Sequence, residues 1–146
     1  MSDLTAGGST WPARLARVLL VWWAGGLWTI CIVVAPTAFR VIDERRVAGA
    51  LTGTLFQSAA WAGAAIALVL WLLARLRPQR LRISALLLAG TAGPPLASQL
   101  LLTPAMDAAR AANNMARFGM FHGIASVLFF AACVSAIFLV WRAKLD

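Results

Sequence analysis

Four long stretches without a charged residue dominate the sequence. They lie between Arg17 and Arg40 (22 residues), Arg46 and Arg75 (28), Arg82 and Asp107 (24), and Arg117 and Arg142 (24). A helix crossing the ~30 Å hydrocarbon core of a bilayer needs about 20 apolar residues. Each stretch meets that length. Backbone N–H and C=O groups in lipid must be paired internally, which leaves helices or closed barrels. Barrel strands alternate apolar and polar residues over about ten positions, whereas these runs are continuous. The pattern predicts an all-α fold, an integral membrane bundle of four antiparallel transmembrane helices. It forms one domain over residues 1–146, with spans about 18–39, 54–74, 83–103 and 118–141.

Composition excludes the other classes. Hydrophobic residues make up 62% and charged residues 12% of the chain, against a usual charged share of about 25%. A soluble core could not hide so much apolar surface, and a disordered chain would not carry it. The net charge of +8 does not indicate nucleic acid, because the arginines flank the spans instead of forming a basic, aromatic-interleaved surface. Their placement sets topology. Arg14, Arg17, Arg75, Arg77, Arg80, Arg82, Arg142 and Lys144 lie at the N-terminus, the second loop and the C-terminus. Arg40, Arg45, Arg46, Arg110 and Arg117 lie on the other side, with Asp43, Glu44 and Asp107. The larger basic group predicts that both termini are cytoplasmic. Trp71 and Trp141 then fall at the cytoplasmic interface. Asp3 and the lack of an early basic cluster make the first stretch a retained span, not a cleaved signal.

Pro94 and Pro95 should kink or unwind the third span. Pro104–Arg117 is long enough for a short amphipathic helix, and Pro78 marks a tight basic turn. Gly49 and Gly53, and Gly63 and Ala67, are small-xxx-small pairs suited to close helix contact. Asp43 and Glu44 beside Arg45 and Arg46 read as a solvated salt-bridge cluster.

Chemistry-bearing residues are few. His122 is the only histidine, and an intramembrane ionisable group is a candidate functional residue. Ser126 and Cys133 fall about 40° and 20° from it on a helical wheel, so the three form one stripe expected to face the bundle interior. Gln99 and Thr103, four apart, share a face of the third span near the same end, and Arg40 closes the first span there. His122, Ser126, Gln99, Thr103 and Arg40 are therefore the candidate polar or ligand site. Interhelical hydrogen bonding is the structural alternative. Cys31 and Cys133 are expected to differ in depth by roughly 7 Å. That makes a metal site weak and Cys31 a small packing residue, within one arc with Ala24, Ala35 and Ala38. Met106, Met115 and Met120 gather near the His122 end. No paired carboxylates lie within a span, and no acid is placed to orient His122 in a triad.

Three segments resemble one family in register: Gly25–Phe39 (GGLWTICIVVAPTAF), Ala48–Phe56 (AGALTGTLF) and Phe121–Ser126 (FHGIAS). It is the bacterial domain of unknown function 4149 family, which is similar to human transmembrane protein 205. The resemblance covers nearly the whole chain and implies four spans. It also implies at most a role in transport, trafficking or metal handling, since the human relative is linked to platinum-drug resistance. A more distant likeness to copper-resistance membrane proteins points to His122 and Pro36. The sequence departs from the family pattern at Ala125, where serine is frequent, and at Phe129, where asparagine often follows the histidine.

The expectation is a small inner-membrane protein that is not an enzyme, an accessory or transport-related component without a cofactor. Its partners are the lipid bilayer and a membrane protein or a second copy. The alternative is a haem- or copper-binding redox or metal-handling protein using His122.

Overall fold

The computed structural model describes residues 11–76, 81–82, 84–142 and 144–145. Four long apolar helices make up almost all of it: Trp11–Val41, Arg45–Leu76, Ala85–Ala111 and Met115–Arg142. With 27 to 32 residues each, they measure roughly 40–48 Å at 1.5 Å per residue. They therefore run past the hydrocarbon at their ends, where the arginines sit. Asp3 and the turn residues Arg77, Pro78 and Arg80 lie outside the described residues.

The membrane reading rests on which surfaces are covered. Of the most apolar window in each helix, only 17%, 22%, 22% and 33% is buried. Large side chains such as Trp22, Leu86 and Val127 point outward. Water would not tolerate such a shell, whereas lipid solvates it. The bundle interior is correspondingly small-sided. The fourth helix buries Ala125, Phe129, Ala132, Cys133, Ala136 and Leu139. The first buries Ala13, Ala16, Leu20, Trp23 and Leu27, at the alternating three- and four-residue spacing of a helix face. Ile66, Leu70 and Leu88 complete this cluster.

Local chemistry explains the helix ends. Ser84 accepts the Leu87 N–H through its hydroxyl, and Asn114 accepts the Arg117 N–H through its side-chain oxygen. Both satisfy donors orphaned at a helix start. Asn113 takes a positive φ of 54° in the preceding turn, a conformation asparagine tolerates well. The Glu44 carbonyl accepts from Val47 and Ala48 at the start of the second helix. Among the described residues no ion pair joins Asp43 or Glu44 to Arg45 or Arg46. The salt bridge found is Arg110–Asp107 at 3.9 Å, on an exposed face. Short connections fit an antiparallel course. A two-residue antiparallel bridge, Leu81 with Leu145 and Arg82 with Lys144, holds the second loop and the C-terminal segment at one end.

Prolines act differently from expectation. Pro94 and Pro95 lie within a continuous α-helical stretch, Ala85–Ala97, and the distortion follows as a π-helical segment, Ser98–Leu102. The first helix carries a second one, Thr29–Val34. Each ends two residues before a proline, Pro36 or Pro104. Proline has no N–H and its ring crowds the carbonyl four residues back. A widened i→i+5 turn moves that carbonyl aside. Thr103–Ala111 is helical, as its amphipathic sequence predicts, but it continues the third helix instead of standing apart.

The glycine expectations divide. A Cβ at Gly49 or Gly53 would meet nothing within 4 Å, whereas one at Gly63 would stand 2.7 Å from the Trp23 ring. Gly63 makes the close contact; Gly49 and Gly53 do not.

Candidate functional site

The expected polar stripe does not face the interior. His122 and Ser126 are exposed, and only Cys133 of that stripe is buried. The cause is the run of small residues at Ala125, Ala132 and Ala136. They allow closer helix approach than the stripe's own side chains would, so the helix turns that face inward. The Ser126 hydroxyl donates to the His122 carbonyl at 2.9 Å, a bond within its own helix. The His122 ring stacks on Phe118 with centroids 5.9 Å apart and planes 9° from parallel. Arg110 lies over the same Phe118 ring, 4.6 Å from its centroid. His122 thus belongs to an exposed cation–aromatic stack, a favourable contact of modest strength.

Gln99 and Thr103 are partly buried at the π segment of the third helix. The Thr103 hydroxyl donates toward Gln99 Oε1 at 3.3 Å and the Ser98 carbonyl at 3.4 Å. The same carbonyl accepts the Thr103 N–H. The Thr103 hydroxyl thus reaches the backbone of a distorted turn, and Gln99 is bonded to that hydroxyl. Among the described residues no hydrogen bond joins them to His122, Ser126 or Arg40, and Arg40 is exposed. The five residues divide into a π-turn pair, a surface stack and a helix end.

The structure brings together a different pair. Cys31 Sγ and Cys133 Sγ lie 3.4 Å apart, not at the separate depths expected. The first helix starts at Trp11, so its register against the fourth cannot be read from charged boundaries. Cys31 continues the buried face of the first helix four residues beyond Leu27 and sits in the π segment. Cys133 is fully buried, whereas Cys31 is partly exposed. Trp28 fixes the register: its indole N–H donates to the Cys133 carbonyl at 3.1 Å, and its ring meets Phe130 edge-on at 6.4 Å. The available signal in the sequence was that both cysteines lie on small-residue faces. Their mutual approach, across 102 residues, was not readable.

Two further features concern binding. An open groove of about 430 Å³ on the fourth helix is lined by Gly119, Met120, Gly123, Ile124, Val127 and Leu128. A Cβ on Gly119 or Gly123 would meet nothing within 4 Å. Among the described residues no three His, Cys, Asp or Glu side chains stand close enough to share a metal ion.

Residues 18–115 match the family model described as Domain of unknown function (DUF4149). The match spans more than half of the chain and ends where the fourth helix begins, short of His122 and Cys133. No curated protein and no solved structure matches the chain.

Proposed function

The chain belongs to the DUF4149 family of unknown function, and from that premise we propose that it is an accessory component of a bacterial inner membrane. On this reading it is not an enzyme, carries no resident cofactor, and acts by lateral contact with a helix of another membrane protein or of a second copy. Both termini are cytoplasmic in this proposal, supported by the basic surplus on that side. On the proposed likeness of the family to human transmembrane protein 205, the contact would be part of a transport or trafficking system.

The observation that carries the proposal is the groove on the fourth helix. Gly119 and Gly123 are one turn apart and open outward, beside Met120, Ile124 and Val127. Glycines so spaced let a second helix approach at backbone distance, where packing and weak Cα–H···O contacts drive association in lipid. A photo-crosslinking residue in place of Met120 tests this in native membranes. A discrete adduct is expected, and Gly123→Ile should remove it by filling the groove. Absence of any discrete adduct would refute the reading.

The haem or copper alternative has one feature in its favour: the His122 imidazole is exposed and could reach a ligand. Its test is the visible spectrum and metal content of protein purified from native membranes. A Soret band or stoichiometric copper that His122→Leu abolishes would replace the accessory reading.

A further inference from the structure

We propose that Cys31 and Cys133 form a redox-modification site open to the bilayer, closed to a disulfide by a lipid-soluble quinone. This goes beyond the accessory reading, which assigns the cysteines nothing.

Proximity is the first support. The sulfurs are 3.4 Å apart, and a disulfide needs about 2.05 Å. The remaining approach is of the order of 1 Å. Cys31 lies within the π segment Thr29–Val34, whose wider turn is less tightly bonded than an α-helix. That turn supplies local slack, while Trp28 holds the two helices in register through the Cys133 carbonyl and Phe130.

Location selects the oxidant. Cys31 is ten residues from Val41, the end of the first helix, and Cys133 is nine from Arg142, the end of the fourth. At 1.5 Å per residue these are about 15 Å and 14 Å. On an antiparallel course the two ends lie at opposite faces, which places the pair near the middle of the ~30 Å core. Charged, water-soluble thiols and disulfides do not reach that depth. Cys133 is sealed inside the bundle, but Cys31 is partly exposed. Its chain neighbours Ile32 and Val33 face outward, each more than half exposed. An apolar two-electron acceptor dissolved in the acyl chains has the route. Both S–H bonds break and one S–S bond forms. The two hydrogens and their electrons pass to the quinone, which leaves as quinol. The reaction is a stoichiometric modification that staples the first helix to the fourth.

The experiment uses the full chain, reduced and reconstituted in liposomes. Decylubiquinone is added to one sample and oxidised glutathione to another, and thiols are counted after denaturation. With the quinone, the count should fall from two to none as one quinone is consumed per chain, and peptide mapping should find Cys31 joined to Cys133. Oxidised glutathione should leave both thiols. In Cys31→Ser and Cys133→Ser, quinone consumption should stop. Survival of both thiols in quinone would overturn the proposal, as would equal loss to glutathione, a quinone adduct in place of the disulfide, or consumption persisting in Cys31→Ser. The wild-type counts stand even if a serine variant fails to fold. They are also independent of the groove on the fourth helix.

Discussion

Among the described glycines, Gly63 is the one where an added methyl group would meet the closest neighbours. Its missing Cβ leaves room for the Trp23 indole, and a Cβ there would lie 2.7–2.9 Å from three ring atoms. Trp23 is nearly fully buried, and its Nε1 is the one buried side-chain polar atom without a partner among the described residues. A rigid ring in a packed site has nowhere to go. Gly63→Ala should therefore destabilise the protein by about 1–3 kcal/mol, read as a lower thermal midpoint in detergent. Gly53→Ala should be neutral or slightly stabilising, because the new methyl meets open space and alanine is the better helix former. Equal loss in both variants would contradict the packing. His122 gives the opposite expectation to an interior residue. With its ring on the surface against Phe118, His122→Leu should move the midpoint by no more than surface substitutions usually do, within about 0.5 kcal/mol. A large drop would show that the imidazole is held by a neighbouring helix.

The fourth helix shows how an element made almost wholly of apolar residues still chooses a face. It offers Phe130, Phe138 and Val127 to the outside and Ala125, Ala132 and Ala136 to the bundle. Lipid tails are as apolar as leucine, so apolarity cannot decide which side is buried; closeness of packing does. Ala132, with no exposed surface, sits at this contact. Ala132→Leu should force the helices apart and lower the midpoint by the equivalent of about 1–3 kcal/mol. Val127→Leu, on the open side, should leave it unchanged. Buried hydroxyls along the other helices follow the same constraint in another form. Thr91 donates to the Leu87 carbonyl at 2.7 Å, and Thr52 to Ala48 at 2.9 Å. In lipid a polar side chain must find a partner within reach, and the carbonyl one turn back is always present.

At the scale of the whole molecule, the ends of the bundle carry the charge and the middle carries none. Arg75 rests over Trp71 at 5.1 Å from the ring centroid, and Arg117 over Phe121 at 5.8 Å, pairings suited to a headgroup layer. The basic residues divide eight to five between the two sides. A C-terminal green fluorescent fusion should therefore fluoresce, and a C-terminal alkaline phosphatase fusion should stay inactive. High phosphatase activity would reverse the orientation.

The four helices and their apolar exterior were legible because the bilayer imposes its requirements on composition and length alone. A continuous, non-alternating apolar run of more than twenty residues crosses lipid as a helix and not as a barrel strand. The helix starts at Ala85 and Met115 went unread, although Ser84 and Asn114 cap them through neighbours within a turn. Direction of facing was not legible. The wheel grouped His122, Ser126 and Cys133, and the bundle separated them, burying only the cysteine. A wheel ranks polarity, whereas packing in lipid ranks size and fit. The approach of Cys31 to Cys133 depends on how far the first helix slides along the fourth. That offset is set by Trp28 against Phe130 and the Cys133 carbonyl, and by a π turn whose position follows from Pro36. These are contacts between segments far apart in the chain, so tertiary structure alone decided them.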